Sequence, residues 1–108
     1  YKENLNVEGI IYNQINDEIL SAADVIMTDT WQSMGEETDE QMIRELHDYR
    51  VTKSLMNKAK KDCMFMHCLP ANRGQEVEEA VIDGVNSKIW EEASNRLHVQ
   101  KQILRILI

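Results

Sequence analysis

The sequence predicts an α/β fold with three layers, in which a parallel sheet is flanked by helices. Three short apolar segments, at 8–12, 24–28 and 63–67, alternate with stretches in which apolar residues recur at helical spacing. Strands as apolar as these are typical of parallel sheets whose two faces are both covered by helices. Three strands are few for a natural sheet, so we expect the 108 residues to be part of a larger domain.

Residues that commonly begin helices stand between the predicted strands. Asn16 or Asp17 can cap a first helix, and Thr38 with Gln41 fits a capping box before a second one. Thr52 can cap a third helix. The order of elements is therefore strand, helix, strand, two helices, strand and a helical C-terminal part.

The C-terminal part predicts a short helix or turn over 76–84 and a long helix over 91–108. Glu91 and Glu92 favour a helix start, since their charges complement the positive end of the helix dipole. Residues 103–108 are apolar on nearly every side of the helix. We expect this end to be buried against a further domain or subunit.

Composition excludes several classes of function. The net charge is −7, so no basic surface is expected that could neutralise nucleic-acid phosphates. The apolar runs are too short to span a bilayer, and no signal-peptide pattern follows Tyr1. Cys63 and Cys68 would lie on opposite sides of one strand and are not expected to form a disulfide, which fits a reducing cytoplasm. The polar start at Tyr1 suggests a piece of a longer protein.

Reactive side chains follow two of the predicted strands. The strand at 24–28 runs into Asp29 and the loop to Gly35, and the strand at 63–67 runs into Cys68, Leu69 and Pro70. In open parallel sheets the carboxyl ends of the strands form the edge where ligands bind. The sequence therefore predicts a site for a small molecule at this edge.

The loop from Asp29 to Gly35 has groups that suit an amino acid. Asp29 could accept hydrogen bonds from an ammonium group. The Ser33 hydroxyl and the backbone N–H groups around Met34 could hold a carboxylate. A helix-capping loop built on Asp29 and Ser33 is the commoner structure at such a position, and it remains the alternative.

The segment that starts at His67 allows several roles for Cys68. The thiol could be a nucleophile, a soft metal ligand or a buried structural group. One His beside one Cys chelates poorly, so no metal site is predicted. Pro70 favours an extended conformation for Leu69, which would fix the direction of the Leu69 carbonyl. The following loop, 71–76, is expected to be solvated.

Arg96 lies near the start of the predicted last helix, where its charge opposes the helix dipole. Two explanations are equally good from the sequence. Arg96 could pair with Glu92, four residues earlier on the helix, or it could bind an anion.

Four segments together resemble the C-terminal domain of ornithine carbamoyltransferases. They are Asp-Thr-Trp-Gln-Ser-Met-Gly at 29–35, Met-His-Cys-Leu-Pro-Ala at 66–71, Arg-Gly-Gln-Glu-Val at 73–77 and Glu-Ala-Ser-Asn-Arg-Leu-His-Val-Gln-Lys at 92–101. The resemblance runs from about Asp24 to the C-terminus, and the order of the motifs is highly specific. It implies a partial Rossmann-like ornithine-binding domain over 1–108.

The resemblance also implies a reaction. The δ-amine of ornithine attacks carbamoyl phosphate, and citrulline and phosphate are released without a cofactor or a metal. Asp29 would hold the α-ammonium of ornithine, while Ser33 and Met34 would contact its carboxylate. Cys68 would orient the δ-nitrogen without forming a covalent bond.

The same resemblance assigns the second substrate. The Leu69 carbonyl would hold the carbamoyl amide, and Arg96 would bind carbamoyl phosphate and stabilise developing negative charge. The family's last helix packs on a carbamoyl-phosphate domain, which would account for the apolar end of 91–108. The family is usually trimeric and serves arginine metabolism.

The chain departs from the family pattern in three ways. Asn72 stands where the family usually has His, the first strand of the ornithine domain is missing, and no Ser-Thr-Arg-Thr phosphate loop occurs. We therefore expect the isolated chain to be inactive. The alternatives are a carbamoyltransferase for another amine or a modified ornithine, a non-catalytic binding or assembly fragment, and, last, a Cys–His hydrolase.

Overall fold

The computed structural model describes residues 9–10, 12, 14–32, 35 and 39–108. The elements in chain order are α1 (Asp17–Ala22), β1 (Val25–Thr28), α2 (Glu40–Leu46) with a 3-10 turn (His47–Tyr49), α3 (Lys53–Met56), β2 (Met64–His67), α4 (Glu79–Ile82) and α5 (Ile89–Leu107). The predicted alternation of strands and helices is confirmed in the part of the chain described.

The sheet is parallel, as predicted. β1 and β2 pair in the register Val25–Met64 to Thr28–His67, so both strands end at the same edge. An isolated parallel bridge from Phe65 to Ser87 adds to the pairing on the other side of β2. In the segment predicted as a strand at 8–12, Glu8 and Ile11 lie outside the described residues, and the described residues between and after them are not in a strand.

Two of the predicted helix caps are confirmed. Asn16 Oδ1 accepts from the Ile19 N–H at 2.9 Å, and Thr52 Oγ1 accepts from the Leu55 N–H at 3.0 Å. Such side-chain acceptors satisfy backbone N–H groups that have no partner within the helix.

The predicted start of α2 is wrong by one residue. Asp39 is the N-cap, and its Oδ1 accepts from the N–H groups of Gln41 and Met42 at 2.9 and 3.1 Å. Thr38, the predicted cap, lies outside the described residues. The carboxylate of Asp39 accepts two N–H groups at once, which accounts for the position of the helix start.

The C-terminal helices differ from their predicted bounds. α5 begins at Ile89, two residues earlier than expected, because the Ile89 side chain is buried in the core and fixes the first turn there. Within the predicted 76–84 segment only α4 is helical, and Gly84 follows it. A Cβ at Gly84 would lie 2.8 Å from the Ala80 carbonyl oxygen, so this close turn requires glycine.

The core lies between β2, α4 and the start of α5. Its buried residues all have apolar side chains. They are Val51, Phe65, Val77, Val81, Ile82 and Ile89. By contrast, the apolar end of α5 is exposed: Ile106 and Leu107 are 74% and 76% accessible. Burial of 103–108 against another domain therefore stays a prediction. Among the helices in the described ranges, none is long and apolar enough to cross a membrane.

Candidate functional site

The strand register brings the two predicted site segments together. Thr28 and His67 are partners in the sheet, so the next residue of each chain segment leaves the sheet at the same point. There the Cys68 Sγ donates a hydrogen bond to Asp29 Oδ1 at 2.8 Å. The Thr30 backbone N–H donates to the same oxygen at 2.7 Å. A shared edge for the Asp29 and Cys68 segments, as the sequence predicted, is thus present.

This contact shifts the pKa values of both groups. The hydrogen bond to Asp29, together with partial burial, raises the pKa of the Cys68 thiol above its ordinary value. The same bond and the Thr30 N–H lower the pKa of Asp29 below its ordinary value. The thiol is therefore protonated at neutral pH and the carboxylate is charged. A thiolate nucleophile or thiolate metal ligand is disfavoured, because both need the opposite shift of the thiol pKa.

Asp29 is open to a ligand. Its side chain is exposed, and the two hydrogen bonds that it accepts from described residues both fall on Oδ1. No helix begins within 29–32, so Asp29 does not cap a helix there. Ser33 and Met34 lie outside the described residues, and their contacts with a carboxylate remain predictions. Gly35 is described and has a positive φ of 87°, a conformation that suits glycine.

A buried pair lies directly beneath this edge. His67 and Glu76 have no exposed surface, and His67 Nε2 is 3.3 Å from Glu76 Oε1. His67 Nδ1 accepts from the Leu69 N–H at 2.9 Å, so in a neutral ring Nε2 carries the hydrogen. Nε2 lies beside the carboxylate without forming a hydrogen bond to it. Glu76 Oε1 also accepts from the Asn72 N–H. The pair thus ties the end of β2 to both ends of the loop that follows it.

The sequence missed this role of Glu76. The loop 71–76 was expected to be solvated, and for Glu76 that expectation is wrong, since its side chain is fully buried. Val77, the first large apolar residue after the loop, was the available signal: it marks where the chain returns to the core. A charged residue beside such a return can be buried only with a partner, and here the partner is His67, on the strand before the loop.

The predicted conformation of Leu69 is also wrong. Leu69 has a positive φ of 56° rather than an extended backbone, and the Leu69–Pro70 peptide is cis. The Leu69 N–H turns back to His67 Nδ1, and this hydrogen bond bends the chain immediately after the strand. The direction of the Leu69 carbonyl is therefore set by a tight turn over the buried pair.

A second link joins the two segments. The Asn72 side-chain Nδ2 donates to Thr30 Oγ1 at 3.1 Å. Thr30 Oγ1 in turn donates to the Gln32 carbonyl at 3.1 Å. The sequence singled out Asn72 only as a departure from a pattern and predicted no contact for it.

Arg96 lies on α5, which is anchored at the end of β2 by Glu92. Glu92 Oε2 accepts from the His67 backbone N–H at 3.0 Å. Within the described residues the carboxylate of Glu92 makes no ion pair with Arg96. This disfavours pairing with Glu92 as the reason why Arg96 stands near the start of the helix. Arg96 is exposed, one helical turn beyond the anchored Glu92.

Comparison with known protein families shows to which family the chain belongs. The sequence model described as "Aspartate/ornithine carbamoyltransferase, Asp/Orn binding domain" matches residues 2–107. The chain belongs to the aspartate/ornithine carbamoyltransferase family. This match covers nearly the whole chain, and it confirms the resemblance drawn from the four sequence motifs.

Relatives within the carbamoyltransferase family are close in sequence and structure. The chain is 50% identical to an ornithine carbamoyltransferase of Staphylothermus marinus over its whole length, which is 35% of that relative. It is 49% identical to the solved ornithine carbamoyltransferase of Pyrococcus furiosus, with a TM-score of 0.73 over 82% of this chain and 28% of that one. The chain thus spans about a third of the length of its relatives, and the predicted α/β fold is confirmed.

A carbamoyltransferase named for a modified amino acid is also similar. The solved N-acetyl-L-ornithine transcarbamylase is 31% identical to this chain, with a TM-score of 0.69 over 85% of this chain and 29% of that one. Solved proteins named ornithine carbamoyltransferase and N-acetyl-L-ornithine transcarbamylase therefore both contain this domain fold.

Proposed function

We propose that this chain is the ornithine-binding part of an ornithine carbamoyltransferase, which transfers a carbamoyl group from carbamoyl phosphate to the δ-amine of ornithine. The observation that carries the proposal is the contact between the Asp29 carboxylate and the protonated Cys68 thiol at the carboxyl edge of the sheet. A charged, exposed carboxylate beside a neutral polar group suits a substrate with two amines of different roles.

Each end of ornithine has a partner in this proposal. Asp29 binds the α-ammonium through Oδ2, the oxygen that accepts no hydrogen bond from the described residues. Ser33 and Met34 contact the α-carboxylate. Cys68 orients the δ-nitrogen by hydrogen bonding and does not become covalently bound, in keeping with the raised pKa of its thiol.

The δ-amine must lose a proton before it can attack. Exclusion of water from the closed site disfavours the ammonium form, because burial costs the charged state more than the neutral one. Fixing two substrates in a reactive orientation can supply roughly 7–11 kcal/mol of rate enhancement in favourable cases. The proposed chemistry therefore needs positioning and desolvation and no cofactor.

Carbamoyl phosphate requires further protein. The Leu69 carbonyl would accept from the carbamoyl amide, and Arg96 would bind the phosphate and stabilise the charge of the tetrahedral intermediate. A carbamoyl-phosphate domain would supply the remaining phosphate contacts, and the apolar end of 91–108 would pack on that domain. We expect the assembled enzyme to be a trimer, to serve arginine metabolism in the cytoplasm, and to lose activity when reduced to this chain.

A second candidate is a carbamoyltransferase for a modified ornithine or another amine. The similarity to N-acetyl-L-ornithine transcarbamylase favours it, since the two chains share this domain fold. An exposed Asp29 favours a free α-ammonium, because an acetylated amine carries no charge to pair with the carboxylate. Ornithine is therefore the better-supported substrate.

A substrate comparison tests the proposal. The full-length protein is supplied with carbamoyl phosphate and with L-ornithine, N-acetyl-L-ornithine, putrescine or L-aspartate, and the products are identified by mass spectrometry. We expect citrulline from ornithine, and at least about a hundredfold lower kcat/KM for the other three. N-acetyl-L-ornithine lacks the α-ammonium and putrescine lacks the α-carboxylate that the site binds, while L-aspartate lacks the δ-amine that attacks. A higher kcat/KM for any of them would overturn the assignment of ornithine. The same assay on residues 1–108 should give no turnover.

A further inference from the structure

Two hydrogen bonds close a ring between the segments that follow β1 and β2. Cys68 Sγ donates to Asp29 Oδ1 at 2.8 Å, and Asn72 Nδ2 donates to Thr30 Oγ1 at 3.1 Å. Asp29 and Thr30 are neighbours in sequence, and Cys68 and Asn72 belong to one loop. The bonds therefore fix the relative position of two segments about forty residues apart along the chain.

The direction of each bond in the ring follows from its partners. The Thr30 hydroxyl has one hydrogen, which it donates to the Gln32 carbonyl at 3.1 Å, so towards Asn72 it acts as an acceptor. The Asn72 amide nitrogen is therefore the donor. The Thr30 backbone N–H donates to Asp29 Oδ1 at 2.7 Å. Asn72 therefore holds Thr30, and Thr30 in turn holds the Asp29 carboxylate.

Asn72 is also fixed by the buried pair of His67 and Glu76. Its backbone N–H donates to Oε1 of Glu76, a fully buried carboxylate that faces the fully buried His67 ring. The main chain of Asn72 is thus tied to the core, while its side chain reaches the other segment. No other residue in the described ranges is bonded both to the buried pair and to the segment that contains Asp29.

We propose that Asn72 is a positioning residue, which uses Thr30 to hold the Asp29 carboxylate against Cys68 and thereby sets where the amines of the substrate bind. The proposal rests on the proposed function, in which Asp29 binds the α-ammonium of ornithine. Asn72 itself does not touch the substrate. Loss of its side chain lets Asp29 move relative to the thiol, while the buried pair beneath remains in place.

The pH dependence of Cys68 alkylation measures this coupling without any substrate. Iodoacetamide labelling of the full-length protein is followed at the Cys68 peptide by mass spectrometry. The fully buried Cys63 reports any loss of folding. Asp29→Asn serves as the benchmark, since it removes the charge that holds the thiol protonated. Asn57→Ala is the matched control, because Asn57 is an exposed asparagine on the far end of α3.

We expect the labelling midpoint of Asn72→Ala and of Thr30→Val to move to lower pH, in the direction of Asp29→Asn. The two shifts should not add in the double variant, since both break one bond. Asn57→Ala should follow the wild type. If Asn72→Ala exposes Cys63, the isosteric Thr30→Val carries the same test. If the labelling midpoints of Asn72→Ala and Thr30→Val both coincide with that of the wild type, the proposal is overturned.

Kinetics supply the second readout. In Asn72→Ala the KM for ornithine should rise about 3–10-fold, the loss expected for one neutral hydrogen bond, while the KM for carbamoyl phosphate stays within twofold. Unchanged ornithine kinetics beside an active wild type would overturn the role of Asn72 alone. Absence of citrulline from the wild type would instead overturn the proposed function, whatever the labelling shows.

Discussion

His67 and Glu76 face each other inside the core, with Nε2 3.3 Å from Oε1 and no exposed surface on either side chain. Three further contacts converge on them: the Leu69 N–H on His67 Nδ1, the Asn72 N–H on Glu76 and Glu92 on the His67 N–H. The pair therefore ties β2, its following loop and α5 together beneath the candidate site.

Removing the Glu76 carboxylate should destabilise the fold strongly. In Glu76→Ala the Asn72 N–H loses its buried acceptor and His67 Nε2 loses the carboxylate that it faces, and we expect the free energy of unfolding to fall by about 3–5 kcal/mol. Glu76→Gln keeps an acceptor oxygen and should cost less. Urea denaturation measures both, with exposed Glu79→Ala as control, expected within about 0.5 kcal/mol of wild type. A loss below about 1 kcal/mol in Glu76→Ala would contradict this account.

Stability should decrease at alkaline pH partly because of Cys68. The folded state raises the pKa of this thiol, so it binds the proton more tightly than the unfolded state does. The contribution is complete below the thiol's unfolded pKa and is lost as pH rises through the folded pKa. Cys68→Ala should flatten the alkaline decline of the unfolding free energy measured between pH 7 and 10. If the unfolding free energies of Cys68→Ala and wild type decline in parallel with pH, the thiol does not contribute to the alkaline loss of stability.

A serine should partly replace Cys68 in catalysis. If the thiol only orients the δ-nitrogen, the hydroxyl of Cys68→Ser still offers a hydrogen-bonding group, and citrulline formation should stay within about a hundredfold of wild type. A covalent role predicts a far larger loss and a carbamoylated Cys68 in the quenched wild-type reaction. Steady-state kinetics and mass spectrometry of the Cys68 peptide distinguish the two cases.

Arg96 should matter for carbamoyl phosphate and little for stability. Its guanidinium is exposed and forms no ion pair with Glu92 in the described structure, so Arg96→Ala should leave the thermal midpoint almost unchanged. Loss of charge stabilisation at the reacting centre should lower kcat/KM for carbamoyl phosphate about 10²–10³-fold. Arg44→Ala, an exposed arginine paired with Glu40 on α2, is the matched control and should behave as wild type.

Local chemistry explains which parts of the fold were predictable. Asn16 and Thr52 cap helices through bonds to residues three positions away, so the relevant partners stand beside them in the sequence. The strands 25–28 and 64–67 were predictable from apolar runs, and the parallel pairing followed from the helices between them. The shared edge of the Asp29 and Cys68 segments then followed from a general property of parallel sheets, whereas the hydrogen bond between the two side chains was not predicted.

The remaining features depend on contacts that no local pattern encodes. Burial of Glu76 requires His67, so it follows only from the folded arrangement. The bend at Leu69 uses Nδ1 of His67, two residues earlier, and the general preference of residues before proline does not predict that bond. The link from Asn72 to Thr30 spans 42 residues and depends on the sheet register. At α2, Thr38 and Asp39 are both good caps by residue type, and the choice between them lay beyond the sequence.

The most direct measurement is the kcat/KM for ornithine of Asp29→Asn in the full-length protein, with exposed Asp62→Asn as the matched control. The substitution removes the charge that would pair with the α-ammonium and keeps the size of the side chain. We predict at least about a hundredfold lower kcat/KM, since a charged group of the substrate loses its partner, and wild-type kinetics for the control. Equal kcat/KM for Asp29→Asn and wild type would contradict the assignment of this edge as the ornithine site.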